Sequence, residues 1–232
     1  HQHDQSRVLP NVVRSFSDVS TLAHELGHAY HGTQTCSHRI LNRDYPMQVA
    51  ETASTFNETH ITCLAIAKAT GEEKLALLDN ILMNTTQVIC DIYSRFLFED
   101  SVFNACEDRF LMPEDLKAMM LDAQKKAYGD GLDPEYMHPY MWACKGHYYS
   151  EALSYYNFPY AFGAMLAMGL YSMYLKEGEA FLPKYNKFLH ATTVMSVEDT
   201  AAVVGIDLTS KDFWRESLKS FADMIDEFVE LT

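Results

Sequence analysis

The chain has 232 residues, 48% of them hydrophobic, which is enough for one substantial core or two smaller ones. Its formal net charge of −14 and its 18 scattered basic residues argue against nucleic-acid binding. Because no apolar stretch reaches the ~18 residues of a membrane span, we expect no membrane partner either.

Apolar residues recur at helical spacing along nearly the whole chain, and no segment shows the alternation of a strand. The Ser17-Asp18 pair is a candidate cap of the first helix, and Gly32 and Gly71 are expected to end the first two. The pattern predicts an all-α fold with residues 1–232 in a single domain. Helices are predicted over residues 17–32, 47–71, 72–109, 112–129, 160–176, 178–191, 196–205 and 210–230.

The five cysteines are an odd number, widely spaced and without a C-x-x-C pair. This usage is typical of reduced thiols rather than of a disulfide framework, so we expect a cytoplasmic location. The chain also begins without a methionine, and its most informative motif lies close to its start. We therefore expect a piece of a longer protein.

The segment "LAHELGHAYHG", residues 22–32, places an H-E-x-x-H pattern on the first predicted helix. Residues four apart project from one helical face, so His24 and His28 can offer two imidazole nitrogens to one zinc ion. Glu25 lies beside that pair and can take a proton from water whose pKa zinc lowers. Gly27 costs roughly 1 kcal/mol inside a helix, which indicates that something approaches the backbone there. The alternative is a surface turn with two unrelated histidines.

Two carboxylates follow on the second predicted helix, in the segment "QVAETASTFNETH". Glu51 and Glu58 lie seven residues apart on one face, among small and apolar residues, where burial is costly unless a partner compensates. We predict Glu51 as the third zinc ligand and Glu58 as the carboxylate that fixes the tautomer of a ligand histidine. A solvated acidic stripe and an exchange of the two roles stay open. For His31, a place beside the metal and a role at the helix C-terminus both stay open.

Three segments, "LAHELGHAYH", "AETASTFNE" and "HYYSEALSYYNFPYAFG", together resemble the zinc metallopeptidases of the oligoendopeptidase F / thimet oligopeptidase family. The resemblance is closer to oligoendopeptidase F, and it covers only the C-terminal catalytic portion of that family. It implies a zincin-like helical catalytic domain of a channel-type oligopeptidase that binds one zinc ion and cuts short peptides internally. The missing N-terminal half of the same protein would then complete the channel.

Carried over residue by residue, the resemblance implies zinc binding by His24, His28 and Glu51, with Glu25 as general base and acid. It also implies that a histidine and tyrosines near the scissile carbonyl stabilise the oxyanion, a task that suits hydroxyl and imidazole donors. The matching positions are His147, Tyr156 and Tyr160, with Tyr149 and Tyr155 as alternatives. For any one of these tyrosines, packing in an aromatic core is the competing interpretation.

The sequence therefore predicts a zinc-dependent metalloendopeptidase acting on oligopeptides. One alternative is an exopeptidase on a similar scaffold, which would need a dedicated group for a peptide terminus. Another is a catalytically incomplete metal-binding fragment that acts as an interaction module. The intact Glu25 speaks against that last reading, because a zinc site without turnover has no need of a general base.

Overall fold

The computed structural model describes residues 5–11, 13 and 15–232. Over these residues the secondary structure consists of helices and turns without a strand, so the predicted all-α class is confirmed. None of the described helices combines the length and the hydropathy that a membrane span requires. In chain order, the α-helices of the described part are α1 (Phe16–Thr35), α2 (Met47–Lys68), α3 (Gly71–Thr86), α4 (Ile92–Cys106), α5 (Pro113–Tyr128), α6 (Phe158–Glu177), α7 (Leu182–Ala191), α8 (Val197–Ala202) and α9 (Lys211–Leu231).

The first helix begins and ends differently from the prediction. Its N-cap is Ser15 rather than Ser17, and Ser15 and Asp18 form a reciprocal capping box in which the Ser15 amide donates to Asp18 Oδ2 at 2.8 Å. The helix also continues past Gly32 to Thr35. Gly32 is buried, so tertiary packing sustains the helix where local propensity would have ended it.

The predicted third helix, 72–109, is wrong as a single element. A five-residue π turn, Gln87–Asp91, separates α3 from α4, and α4 ends at Cys106. The sequence at the interruption, residues 85–89, is rich in β-branched side chains, which lower helix propensity. Gly71 does not end the second helix; it begins α3, with a φ of +57° that favours glycine.

The described chain divides into two compact units, and the expectation of a single domain stays a prediction. The first unit contains the described residues up to Leu82 together with Phe162–Thr232. In it α1 packs against α2 and α7. Its core includes fully buried side chains from α3, α6 and α7 and from the turn before α7, namely Leu78, Leu166, Leu170, Phe181, Phe188 and Leu189.

The second unit, Met83–Ala161, is built on α4 and α5. Its core is a small cluster of Phe98, Met120 and Ala123, and Tyr148 packs against that cluster from the following segment. Short 3-10 turns connect α5 to α6 where the sequence predicted a loop. This segment carries His147 on the turn Gly146–Tyr149.

Candidate metal centre

Helices α1 and α2 bring three metal-ligand side chains together in the first unit. Glu51 Oε2 lies 3.3 Å from His24 Nε2 and 3.5 Å from His28 Nε2. One ligand atom from each of the three residues lies within 4.8 Å of the others, and no other such group occurs among the described residues. The two histidines project from consecutive turns of α1, with their ring planes at 83° and centroids 5.0 Å apart.

These separations suit a zinc ion. Ligands bound at about 2.1 Å in tetrahedral geometry lie about 3.4 Å from one another, so the two distances at Glu51 Oε2 match edges of such a tetrahedron. Two imidazoles and one carboxylate are also a ligand set of catalytic zinc sites, which leave a fourth position open. The side chains are between 18% and 29% exposed, so the cluster is reachable from solvent.

A second carboxylate orients the first histidine. His24 Nδ1 lies 3.0 Å from Glu58 Oε2, and Ser20 Oγ donates to Glu58 Oε1 at 2.9 Å. Glu58 accepts the Nδ1 hydrogen of His24, which turns Nε2 of that ring toward Glu51 and His28. Glu51 thus faces Nε2 of His24 and Glu58 faces Nδ1, while their roles as metal ligand and orienting carboxylate stay predictions.

The charges of this cluster are strongly coupled. Burial lowers the pKa of His24, but the hydrogen bonds to Glu51 and Glu58 outweigh it and raise the pKa to about 9. Hydrogen bonds from His24 and His28 hold the pKa of Glu51 well below its usual range. Burial raises the pKa of Glu58, yet its hydrogen bonds to His24 and Ser20 leave it lowered overall. A pKa of about 9 favours the imidazolium form of His24 between the two carboxylates at neutral pH.

Two glycines let α2 lie close to its neighbours at the level of Glu51. A Cβ at Gly27 would lie 2.4 Å from the backbone oxygen of Ala53 and 2.5 Å from the Cα of Ser54. A Cβ at Gly163 of α6 would lie 3.2 Å from the Cβ of Glu51. The close approach that Gly27 indicated in the sequence is therefore the backbone of α2.

Glu25 and His31 extend from α1 in different environments. Glu25 is exposed, as expected of a base that acts on water, and the neighbouring Leu22 and Leu26 are 40% and 49% exposed. His31 is fully buried, with Nε2 2.8 Å from Thr192 Oγ1 and its ring stacked on Tyr45. His31 belongs to the packing of the first unit, so its possible place beside the metal is not supported.

The remaining predicted residues lie in the second unit and are described within it. The hydroxyl oxygens of Tyr156 and Tyr160 are 2.6 Å apart, and the rings of His147 and Tyr156 lie with centroids 5.8 Å apart. Burial, followed by the charges of Arg95 and Lys145, lowers the pKa of His147.

The two alternative tyrosines differ from these. Tyr149 is 66% exposed. Tyr155 has a φ of +54°, an outlier for a bulky residue. Its amide donates to Glu99 Oε1 at 2.8 Å, and its hydroxyl donates to Asp100 Oδ1 at 3.0 Å. These two hydrogen bonds fix the position of Tyr155 and so restrain the segment that carries Tyr156.

Several contributors to these clusters were not singled out from the sequence. Ser54 Oγ donates to Glu51 Oε2 at 3.1 Å, and Ser20 supports Glu58. In the second unit, Asn157 contacts both Arg95 and His147. The sequence carried one signal for the cluster in the second unit. Asp91 and Arg95 lie four residues apart in an otherwise apolar stretch, and this spacing indicates an ion pair at a buried position.

Comparison with known proteins finds a matching family model and similar sequences. The model of peptidase family M3 matches residues 2–220. The chain is 30% identical over 227 residues to Oligopeptidase PepF of Bacillus subtilis (strain 168), covering 97% of this chain and 33% of that protein. It is 26% identical over 227 residues to the chromosomal Oligoendopeptidase F of Lactococcus lactis subsp. cremoris, covering 97% and 37%. The chain therefore spans about a third of the length of these curated relatives.

Two solved structures share the fold. A putative peptidase from Chlamydophila abortus superposes with a TM-score of 0.83 at 23% identity, covering 93% of this chain and 36% of that one. The oligoendopeptidase-F from Enterococcus faecium superposes with a TM-score of 0.78 at 22% identity, covering 93% and 39%. At these identities the similarity shows a common helical fold.

Proposed function

Because the chain belongs to peptidase family M3, we propose that it carries the zinc site of a metalloendopeptidase that hydrolyses internal bonds of short peptides. The similarity to oligoendopeptidase F sequences, expected from the three motifs, is confirmed over 97% of the chain. The names of those relatives support oligopeptides as substrates. In this proposal the N-terminal half of the longer protein completes the substrate channel, and the protein acts in the cytoplasm.

The observation that carries the proposal is the position of Glu51. Its Oε2 lies at tetrahedral-edge distances from both histidine nitrogens of the H-E-x-x-H segment. His24, His28 and Glu51 would hold the ion, and Glu58 would keep His24 in the correct orientation. A bound zinc ion would supply a Lewis acid for the peptide carbonyl and lower the pKa of water.

The chain's own residues would transfer the proton and stabilise the developing charge. Glu25 follows His24 on α1 and is exposed, so it can take a proton from water and deliver it to the leaving amine. We assign stabilisation of the carbonyl oxygen to His147, Tyr156 and Tyr160. This assignment rests on the family resemblance and on their donor chemistry.

A protease assay on the zinc-loaded protein, with its N-terminal half present, tests the proposal. The substrate is an internally quenched peptide blocked at both termini, and metal content is measured alongside. We expect about one zinc per chain in the parent and in Glu25→Gln, with hydrolysis lowered by about 10² to 10⁴-fold in the variant. Glu72→Gln, at an exposed position in the first turn of α3, is the matched control and should leave both readouts unchanged.

The same assay separates the alternatives. An exopeptidase would leave the blocked peptide intact and would cleave a second peptide of the same sequence that has one free terminus. A metal-binding fragment that acts as an interaction module would bind zinc and leave both peptides intact. Hydrolysis by Glu25→Gln at the parental rate would contradict the proposed mechanism.

A further inference from the structure

A buried chain of hydrogen bonds runs through the second unit and ends on His147. Asp91 Oδ2 accepts from Arg95 Nη2. Arg95 Nη1 donates to Asn157 Oδ1 at 3.0 Å, and Asn157 Nδ2 lies 2.5 Å from His147 Nε2. Asp91, Arg95 and Asn157 are each at most 9% exposed, so water competes little for the bonds among them, and the bond from Asn157 to His147 is part-buried.

The chemistry of the donors fixes the direction of this chain. A guanidinium group only donates hydrogen bonds, so the amide oxygen of Asn157 must face Arg95. The amide nitrogen of Asn157, which only donates, must then face His147 Nε2. His147 Nε2 is consequently the acceptor, and the ring proton of the neutral imidazole lies on Nδ1.

The surrounding backbone holds the members of the chain in place. Asp91 ends the π turn Gln87–Asp91, and Arg95 follows one helical turn later in α4. The hydroxyl of Tyr148 donates to the backbone oxygen of Arg95 at 3.2 Å. Tyr155, with its left-handed backbone tied to Glu99, sets the position of Asn157 two residues later. Distorted helices and strained residues of this kind occur often at functional sites.

We propose that Arg95 and Asn157 are positioning residues that lock His147 in its neutral Nδ1–H tautomer, so that it serves the reaction as an uncharged hydrogen-bond donor. The role of His147 in the reaction rests on the proposed function. The restraint on its tautomer, called the lock below, is a property of the second unit alone. An uncharged donor stabilises a developing oxyanion without giving up its proton.

The charges around His147 agree with this lock. Within the second unit the groups near the ring are Arg95, paired with Asp91, the neighbouring Lys145, and the phenol rings of Tyr148 and Tyr156. Burial and then the positive charges of Arg95 and Lys145 lower the pKa of His147 and so favour the neutral ring. A proton arriving at Nε2 would also have to displace the amide of Asn157.

Nitrogen NMR of the zinc-loaded chain, with 15N in its ten histidines, tests the lock directly. His147→Gln serves only to assign the His147 signals. We expect Nδ1 to be protonated and Nε2 to be unprotonated between about pH 6 and 8. A proton on Nε2, or an imidazolium at pH 7, overturns the proposal. This measurement needs no functional variant, so it does not depend on a substitution that fails to fold.

Asn157→Asp tests whether the amide is the cause. Its carboxylate can accept from both Arg95 and His147, so the proton should move to Nε2 and the His147 titration midpoint should rise by about one pH unit or more. Asn42→Asp, which makes the same change at an exposed position in the first unit, should leave both unchanged. A folded Asn157→Asp protein with the parental tautomer and midpoint would refute the assignment.

Kinetics connect the lock to the reaction. We expect Asn157→Asp to lower kcat by about tenfold or more, with KM within about twofold and zinc content unchanged, and to shift the pH profile of kcat. A parent that has the locked tautomer but hydrolyses no peptide contradicts the proposed function and not the lock. A parent that hydrolyses peptide with the proton on Nε2 contradicts the lock alone.

Discussion

Gly27 of α1 faces the backbone oxygen of Ala53 in α2 so closely that a Cβ at position 27 would lie 2.4 Å from it. Gly27 lies between His24 and His28 in the sequence, and Ala53 lies two residues after Glu51. The distance between the two helices at this point therefore also sets the distance between the histidine pair and the carboxylate. A side chain at position 27 would widen that distance.

We predict that alanine substitutions at three glycines lower zinc affinity and fold stability to different extents. Gly27→Ala should weaken zinc binding by about tenfold or more, because ligand positions must hold within about 0.5 Å, and should destabilise the fold by about 1–3 kcal/mol. Gly163→Ala, with 3.2 Å to Glu51 Cβ, should have a smaller effect of the same kind. Gly146→Ala meets nothing within 4 Å and is the control. Competition with a fluorescent chelator and urea unfolding measure the two effects, and equal zinc affinity in all three would contradict the prediction.

Glu58 should contribute to zinc affinity without touching the ion. Glu58→Gln removes the charge that accepts the Nδ1 hydrogen of His24, and we expect zinc affinity to fall by about 10–100-fold. Ser20→Ala should produce a smaller loss, since it removes only the hydrogen bond that steadies Glu58. The control variant is Glu72→Gln, which lies outside the cluster and should leave zinc affinity unchanged. If Glu58→Gln binds zinc like the parent, the orienting role assigned to Glu58 is wrong.

Zinc uptake should release a proton from His24. Its pKa of about 9 in the metal-free chain exceeds the ordinary value of 6.5, so His24 carries nearly a full proton at pH 7.5 and must lose it to bind zinc. An unperturbed histidine would release only about 0.1 proton at this pH. Calorimetry in buffers of different ionisation enthalpy measures the number released. We expect fewer protons to be released by Glu58→Gln than by the parent. If the parent releases no more protons than this variant, the charge coupling between His24 and Glu58 is wrong.

The buried His31 should make stability depend on pH. Burial lowers its pKa to about 4 in the folded chain, against 6.5 when unfolded, so the unfolded state binds more protons between these values. The contribution is therefore fully present above pH 6.5 and is lost as the pH falls toward 4, with about 2–3 kcal/mol gone by pH 4.5. Urea unfolding of the metal-free protein at pH 7 and 4.5 tests this. The loss should be smaller in His31→Gln, and an equal loss would contradict it.

The sequence by itself determined the helical class and the metal-ligand residues proposed above. Helical periodicity is a local property, and the four-residue spacing of His24 and His28 puts them on one face in any straight helix. Glu51 and Glu58 could be chosen because two carboxylates among small and apolar residues require a partner. The same local signals misplaced the cap at Ser17 and missed the π turn, because tertiary packing outweighs differences in propensity of a few tenths of a kcal/mol.

Only the tertiary structure decided which carboxylate faces which nitrogen, and that His31 belongs to the packing around Thr192. It also brought Asn157 against Arg95, which is 62 residues away in the chain. The physical reason is that a hydrogen bond acts over about 3 Å and depends on direction. Sequence spacing fixes such distances within a helix, but between helices they depend on how closely the backbones pack, as they do at Gly27.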